Sequence, residues 1–124
     1  MEKQEYLVQY ERLKKQFDEA TGILQAIGDA TRQHIILAMF ELPCQTKGGA
    51  RVGEITQKTH LSRPAVSHHL KILKDAGIIK MRRQGTKNYY YLSAEHEALK
   101  MLQDLFGNVI ELSQKINDEG EKLK

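Results

Sequence analysis

The sequence predicts a mainly α chain with one small β-hairpin, an α+β arrangement in a single domain over residues 1–124. Apolar residues recur at steps of three and four through most of its length, the spacing of one helical face. The period changes to two between Ile79 and Leu92, where β-branched and aromatic residues gather. Ahead of that hairpin stand two short helices about three residues apart, the spacing of a helix-turn-helix.

The opening helix runs from Glu2 to about Ala20. Tyr6, Tyr10, Leu13 and Phe17 step by four, three and four along it, making one apolar stripe that needs a surface to cover. Asp29, whose carboxylate can accept the unpaired N–H groups of a helix start, caps a second helix reaching about Leu42. Ile35, Ile36, Ala38, Met39 and Leu42 give that helix a broad apolar side, and Pro43 stops it. Pro43 to Ala50, with Gly48-Gly49, reads as a loop.

A short helix follows from about Val52 to Thr59, then a tight turn through His60 and Leu61. Ser62 caps the next helix, which carries Val66, His69, Leu70, Leu73 and Ala76 on one side and ends at Gly77. Strands over Ile79 to Arg83 and Asn88 to Leu92 are joined by Gln84-Gly85-Thr86-Lys87, forming a wing. Ser93 caps the last helix, with Glu95 and Glu97 in its first turn, where the helix dipole favours acids. Ala98, Leu102, Leu105, Val109, Leu112 and Ile116 then step by four and three. Leu99, Met101, Phe106 and Ile110 widen this stripe beyond what one small core absorbs.

The surplus predicts a partner helix. The expected assembly is a homodimer held by Tyr6, Tyr10, Leu13 and Phe17 of the first helix and Leu102, Leu105, Val109 and Leu112 of the last. The charged tail, Asn117 to Lys124, is expected to fray.

Net charge is +3, but it is unevenly distributed. Residues 51–92 hold nine Lys and Arg against Glu54 and Asp75, a net of +7, while the remainder is at −4. A basic centre between acidic flanks is the sign pattern of a chain whose middle meets a polyanion, or of a merely solvated basic face. No apolar run approaches a membrane span, and a cytoplasmic protein is expected. Cys44 is the single cysteine, so neither an internal disulfide nor a tetrathiolate site is available.

With Val66, His69, Leu70 and Leu73 turned inward, helical geometry turns Arg63, Ser67, His68 and Lys71 outward. Small hydrogen-bonding and cationic groups on one helix suit the base edges and phosphates of a major groove. Ser67 and His68 are the candidates for base edges, and Arg63 and Lys71 for phosphates. Ser62, at the start of the helix, joins this DNA-binding set. In the wing, Arg82, Arg83 and the tip residue Lys87 complete the DNA-binding set; Arg82 and Arg83 alternate across the strand, so only one faces outward at the same position while the other snorkels or pairs within the fold. Tyr89, Tyr90 and Tyr91 are expected to pack the hairpin against the helices rather than stack on bases.

Three stretches together resemble the ArsR-type winged-helix repressors, the arsenic and metal repressor family. They are Gly28-Asp29-Ala30-Thr31-Arg32, the run from Ser62 to Ile79, and Arg82-Arg83-Gln84-Gly85-Thr86-Lys87-Asn88-Tyr89-Tyr90-Tyr91-Leu92. The resemblance covers roughly Gly28 to Leu92. It implies a winged helix-turn-helix fold and a homodimer packed through its first and last helices (1–27 and 93–118). It further implies DNA binding by residues 51–92, and a repressor acting on an inverted-repeat operator in double-stranded DNA.

Many members of that family bind metals through a Cys-x-Cys pair in the helix before the recognition helix, where this chain has Val52-Gly53-Glu54-Ile55-Thr56. Others use an Asp-x-His and a later His-x-x-His/Glu on the last helix; here only His96 is present, with Ala94 two positions earlier and Gly at 107. The family's metal ligands therefore do not carry over, and neither a metal nor another cofactor is expected. The residues name no effector. Catalysis is not expected either, because Ser67 and His68 are adjacent on a helix and do not face one another. The competing reading is a winged-helix module that docks an acidic protein partner, which would show apolar anchors where this chain has Arg63, Ser67, His68 and Lys71.

Overall fold

The last four carbonyls of an α-helix have no partner inside it, and the end of the first helix here sets the path of the chain that follows. The computed structural model describes residues 2–42, 48–93 and 95–122, and in it α1 spans Lys3–Ile27. That is longer than the stripe ending near Ala20 implies, because Ile23 and Ala26 continue the buried side of the helix. The Leu24 carbonyl accepts from the Gly28 N–H at 3.0 Å. Those of Gln25 and Ala26 accept from Arg32 Nη2 at 3.1 Å and Nε at 2.7 Å. The carbonyl of Ile27 accepts from Gln33 Nε2 at 2.7 Å. All four are satisfied by the short motif that begins the next helix.

That helix, α2, spans Ala30–Glu41. As the sequence implies, Asp29 is its N-cap: Oδ2 accepts the Arg32 N–H at 2.9 Å. This backbone hydrogen bond, aided by the Arg32 charge, holds the Asp29 carboxyl below its ordinary range. Ile35, Ala38 and Met39 are buried, and Leu42 is the C-cap. Pro43 and Cys44 lie outside the described residues.

Two helices then form the expected helix-turn-helix, α3 over Val52–Thr59 and α4 over Arg63–Asp75. The turn is made by His60, in the left-handed region at φ 60°, whose N–H bonds the Thr56 carbonyl at 2.9 Å. Ser62 Oγ accepts the Ala65 N–H at 3.3 Å, and Pro64 occupies the first turn, where its missing N–H is not needed. At the other end Gly77 adopts φ 78°. Its N–H bonds the Lys74 carbonyl, and the Ile78 N–H bonds that of Leu73, the paired bonds of a Schellman stop. Ile35, Met39, Ile55, Val66, Leu70 and Leu73 are fully buried and form the core over which α2, α3 and α4 pack. Each such side chain contributes roughly 1.5–3 kcal/mol by leaving water.

The hairpin pairs β1, Ile79–Gln84, with β2, Lys87–Leu92, in antiparallel register from Ile79↔Leu92 to Gln84↔Lys87. Each strand reaches one residue further toward the turn than the alternation implies, leaving a two-residue loop with Gly85 at φ 64°. The preceding loop is not all irregular: Ala50, fully buried, bridges Tyr90 through reciprocal bonds of 2.7 and 2.8 Å. Gly49 makes that approach possible. At φ 133° it lies so close to β2 that an added Cβ would meet Tyr89 Cβ at 2.9 Å.

The last helix, α5, spans Glu97–Lys122, which corrects both ends of the sequence reading. Ser93 does not cap it: its Oγ accepts the Glu95 N–H at 3.3 Å in a local turn, and His96 at φ 53° separates that turn from the helix. At the other end the tail expected to fray is helical to Lys122, even though Asn117, Asp118 and Gly120 are poor helix formers. Leu123 and Lys124 lie outside the described residues.

These elements form two compact units, one of Gly22–Ala98 and one of the described parts of 1–21 and 99–124. The second buries Ala20, Leu102, Leu105 and Leu112 and is crossed by a hydrogen bond from Asn108 Nδ2 to Gln16 Oε1 at 2.9 Å. Among the described residues no helix is long and apolar enough to cross a membrane.

Candidate nucleic-acid interface

Burial of Val66, Leu70 and Leu73 fixes the rotation of α4 and thereby its outward face. Arg63, Ser67, His68 and Lys71 are all exposed there, as is Ser62 at the cap. Among the described residues Arg63 has no ion-pair partner. Lys71 does: its Nζ lies 2.9 Å from Asp75 Oδ2, one turn along the same exposed face. The hydrogen bond from Lys71 holds the Asp75 carboxyl below its ordinary range. The i,i+4 spacing of this pair is readable in the sequence, where Asp75 enters only as one of two acids in a basic stretch.

His69 lies on the half-buried flank of α4, on the apolar side assigned to it, and its Nδ1 is 3.3 Å from Arg32 Nη1. The rings of His68 and His69 stand 5.5 Å apart. Arg32 belongs to a motif legible in the sequence, but nothing in periodicity or spacing connects it with a residue 37 positions later.

In the wing the register separates the two arginines. Arg82 lies opposite Tyr89, with its guanidinium carbon 4.7 Å from the centre of that ring, and donates to Gln84 Oε1 at 2.8 Å and the Gly48 carbonyl at 3.3 Å. Arg83 lies opposite Asn88, on the other side of the ribbon, and its Nε donates to the nearby Gly85 carbonyl at 3.1 Å. Both remain exposed, as does Lys87 beside the tip. The tyrosines do not act alike: Tyr90 sits in the Ala50 bridge, while Tyr89 carries Arg82.

Two other cations of the basic stretch are engaged away from the outward face of α4. Lys58 on α3 meets Glu41 of α2 at 2.8 Å, and its hydrogen bond lowers the Glu41 pKa; Lys80 meets Glu95 at 3.3 Å.

The residues proposed for self-association divide by burial. Tyr10 and Phe17 are each 43% exposed, Tyr6 and Leu13 half-buried. On α5, Leu102, Leu105 and Leu112 are already buried within one chain and Val109 is half-buried; the exposed apolar surface belongs to Met101, Phe106, Ile110 and Ile116. Among the described residues no group of three or more His, Cys, Asp or Glu is placed to hold a metal ion. Cys44 lies outside them.

Comparison with known proteins follows this geometry. The family described as bacterial regulatory protein, arsR family, matches residues 29–81, which run from the N-cap of α2 into β1. An HTH-type transcriptional regulator of Methanocaldococcus jannaschii is 36% identical over 93 residues, covering 73% of this chain and 99% of that protein. The transcriptional repressor SdpR of Bacillus subtilis is 38% identical over 73 residues, covering 58% of this chain and 73% of SdpR. Among solved structures, a homodimeric winged helix-turn-helix DNA-binding domain from Mycobacterium bovis shares the fold. Its TM-score is 0.52 at 24% identity, over 82% of that domain and 83% of this chain.

Proposed function

From the premise that the chain belongs to the arsR family of bacterial regulatory proteins, we propose that it is a sequence-specific DNA-binding repressor that works as a homodimer on an inverted-repeat operator. The observation that carries this reading is the outward face of α4. Arg63, Ser67, His68 and Lys71 stand exposed together on a helix whose opposite side is locked into the core. Such a helix enters a major groove as a rigid body, so its side chains meet base edges in a fixed register.

Ser67 and His68 offer short hydrogen-bonding groups to the bases. Arg63 and Lys71 neutralise flanking phosphates, with Ser62 beside them. In the wing, Arg83 and Lys87 reach the backbone, while Arg82 braces the ribbon through Tyr89 and Gly48. The second copy of the chain covers the exposed stripe of Tyr10 and Phe17 on α1 and of Phe106 and Ile110 on α5. Two copies of α4 related by a two-fold axis then read half-sites about one helical turn apart. The protein acts in the cytoplasm, without catalysis and without a metal. A surface for docking an acidic protein would carry large apolar anchors, and the outward face of α4 has none.

The test is a titration of the full chain against the duplex it enriches from a random-sequence pool, and against a shuffled version, at several salt concentrations. A repressor of this kind binds the enriched duplex at least about a thousandfold more tightly, and log affinity falls linearly with log salt. Equal binding to both duplexes contradicts the reading.

A further inference from the structure

Arg32 joins two structures that the sequence keeps far apart. Its side chain is only 14% exposed, and three of its nitrogens are committed: Nη2 and Nε to the terminal carbonyls of α1, and Nη1 to His69 Nδ1 on α4 at 3.3 Å. Its own backbone N–H is held by Asp29 Oδ2. A guanidinium is a planar, fixed fork with donors only. Held at two points by α1 and at its backbone by the α2 cap, it has little freedom left at Nη1. Because Nη1 only donates, Nδ1 of His69 is the acceptor, and a neutral His69 carries its proton on Nε2.

His69 follows His68, whose ring is 5.5 Å away and whose side chain faces outward. We infer that Arg32 is a positioning residue for DNA reading: burial of Val66, Leu70 and Leu73 sets which face of α4 is outward, and Arg32, by holding His69 on the flank of the helix, sets the fine placement of Ser67 and His68 against the bases. This rests on the regulator reading above. It adds that the Gly28-Asp29-Ala30-Thr31-Arg32 motif serves the recognition helix as well as the start of α2. Arg32 itself touches no DNA in this arrangement.

The experiment compares wild type, Arg32→Gln, His69→Leu and the double variant. Each is titrated with the enriched duplex and its shuffled form, and melting temperatures are measured alongside. Each single variant is expected to lose about tenfold in the enriched-to-shuffled ratio, the scale of one hydrogen bond from a charged donor. The double variant should lose no more than the worse single, since both remove the same link. Nitrogen-15 spectra of the imidazoles should show wild-type His69 as the Nε2–H tautomer, with that single tautomer lost in Arg32→Gln.

If Arg32 only capped α1, Arg32→Gln would lower the melting temperature while the ratio stayed unchanged, or the losses in the double variant would add; either result overturns the proposal. Should the variants fail to fold, the wild-type spectrum decides: a proton on Nε2 supports the link and a proton on Nδ1 overturns it. A wild type that enriches no duplex removes the regulator reading and this proposal together, whereas a failure confined to the variants removes only the proposal.

Discussion

Lys71 Nζ lies 2.9 Å from Asp75 Oδ2, so one of the outward cations of α4 carries its own counter-ion on the face proposed to meet DNA. Both side chains are well exposed, and such a pair adds little to folding. Its effect is on binding: a phosphate has to compete with Asp75 for Lys71, and the ionised carboxylate also repels the backbone. Asp75→Asn should therefore tighten binding to every duplex by a few-fold, with the enriched-to-shuffled ratio unchanged. Lys71→Ala should weaken all duplexes and lower the salt slope by roughly one. Titrations of both variants at several salt concentrations check the pair.

The division of apolar residues on α5 predicts two different outcomes for neighbouring substitutions. Leu105 is fully buried within one chain, so Leu105→Ala should cost about 2–5 kcal/mol in stability, and Leu105→Glu should prevent folding. Phe106 and Ile110 are 48% and 58% exposed, so Phe106→Glu with Ile110→Glu should leave a folded chain that sediments as a monomer. Sedimentation and circular dichroism on the same samples separate the two effects. A double variant that remains dimeric contradicts the proposed interface.

The contrast between those residues also marks how far the sequence alone reaches. Helical phase identifies Val66, Leu70 and Leu73 as inward and Arg63, Ser67, His68 and Lys71 as outward, because a single strong period determines both sides. On α5 it separates a four-and-three series through Leu102, Leu105, Val109 and Leu112 from the flanking Phe106 and Ile110, but it does not tell which of the two sets is covered within one chain and which is left for a partner. Leu105 and Phe106 are adjacent and equally apolar, and only the packing of the chain decides which is covered. The links from Arg32 to His69, and from Ala50 to Tyr90, escape for another reason: they join residues distant in sequence through geometry that no local pattern records. The start of α5 is misplaced because Ser93 has two local uses, a helix cap or a short turn, with the same sequence signature.

Gly49 offers a test of the sheet's third contact. With φ at 133° and β2 so close, Gly49→Ala combines an unfavourable backbone conformation with a clash, and should cost about 1–3 kcal/mol. Amide exchange at Ala50 and Tyr90 should speed up in that variant. Unchanged exchange would show that the bridge does not depend on this glycine.

Three largely exposed carboxylates make a small acid-dependent contribution to stability. Asp29, Glu41 and Asp75 have pKa values lowered in the folded chain by Arg32, Lys58 and Lys71, from ordinary values of 3.8, 4.5 and 3.8. A depressed carboxyl pKa adds stability above the unfolded value, and that stability is lost as pH falls through the folded one. Their contribution should thus be constant from neutral pH down to about 5 and decline below about 4.5. Melting temperature against pH checks this: Glu41→Gln combined with Asp75→Asn should make the decline below about pH 4.5 slightly shallower and leave the curve above pH ~5 unchanged in shape.

The central claim is that the outward face of α4 reads sequence, and it is tested most directly by Ser67→Ala and His68→Ala. Each variant is titrated against the enriched duplex and against the set of its single-base-pair changes. Each should lose about 1–3 kcal/mol on the enriched duplex and relax its preference at particular base pairs. Arg63→Ala and Lys87→Ala should instead weaken every duplex alike. If Ser67→Ala and His68→Ala both keep the full wild-type preference at every position, α4 does not read the bases through this face, and the account is contradicted.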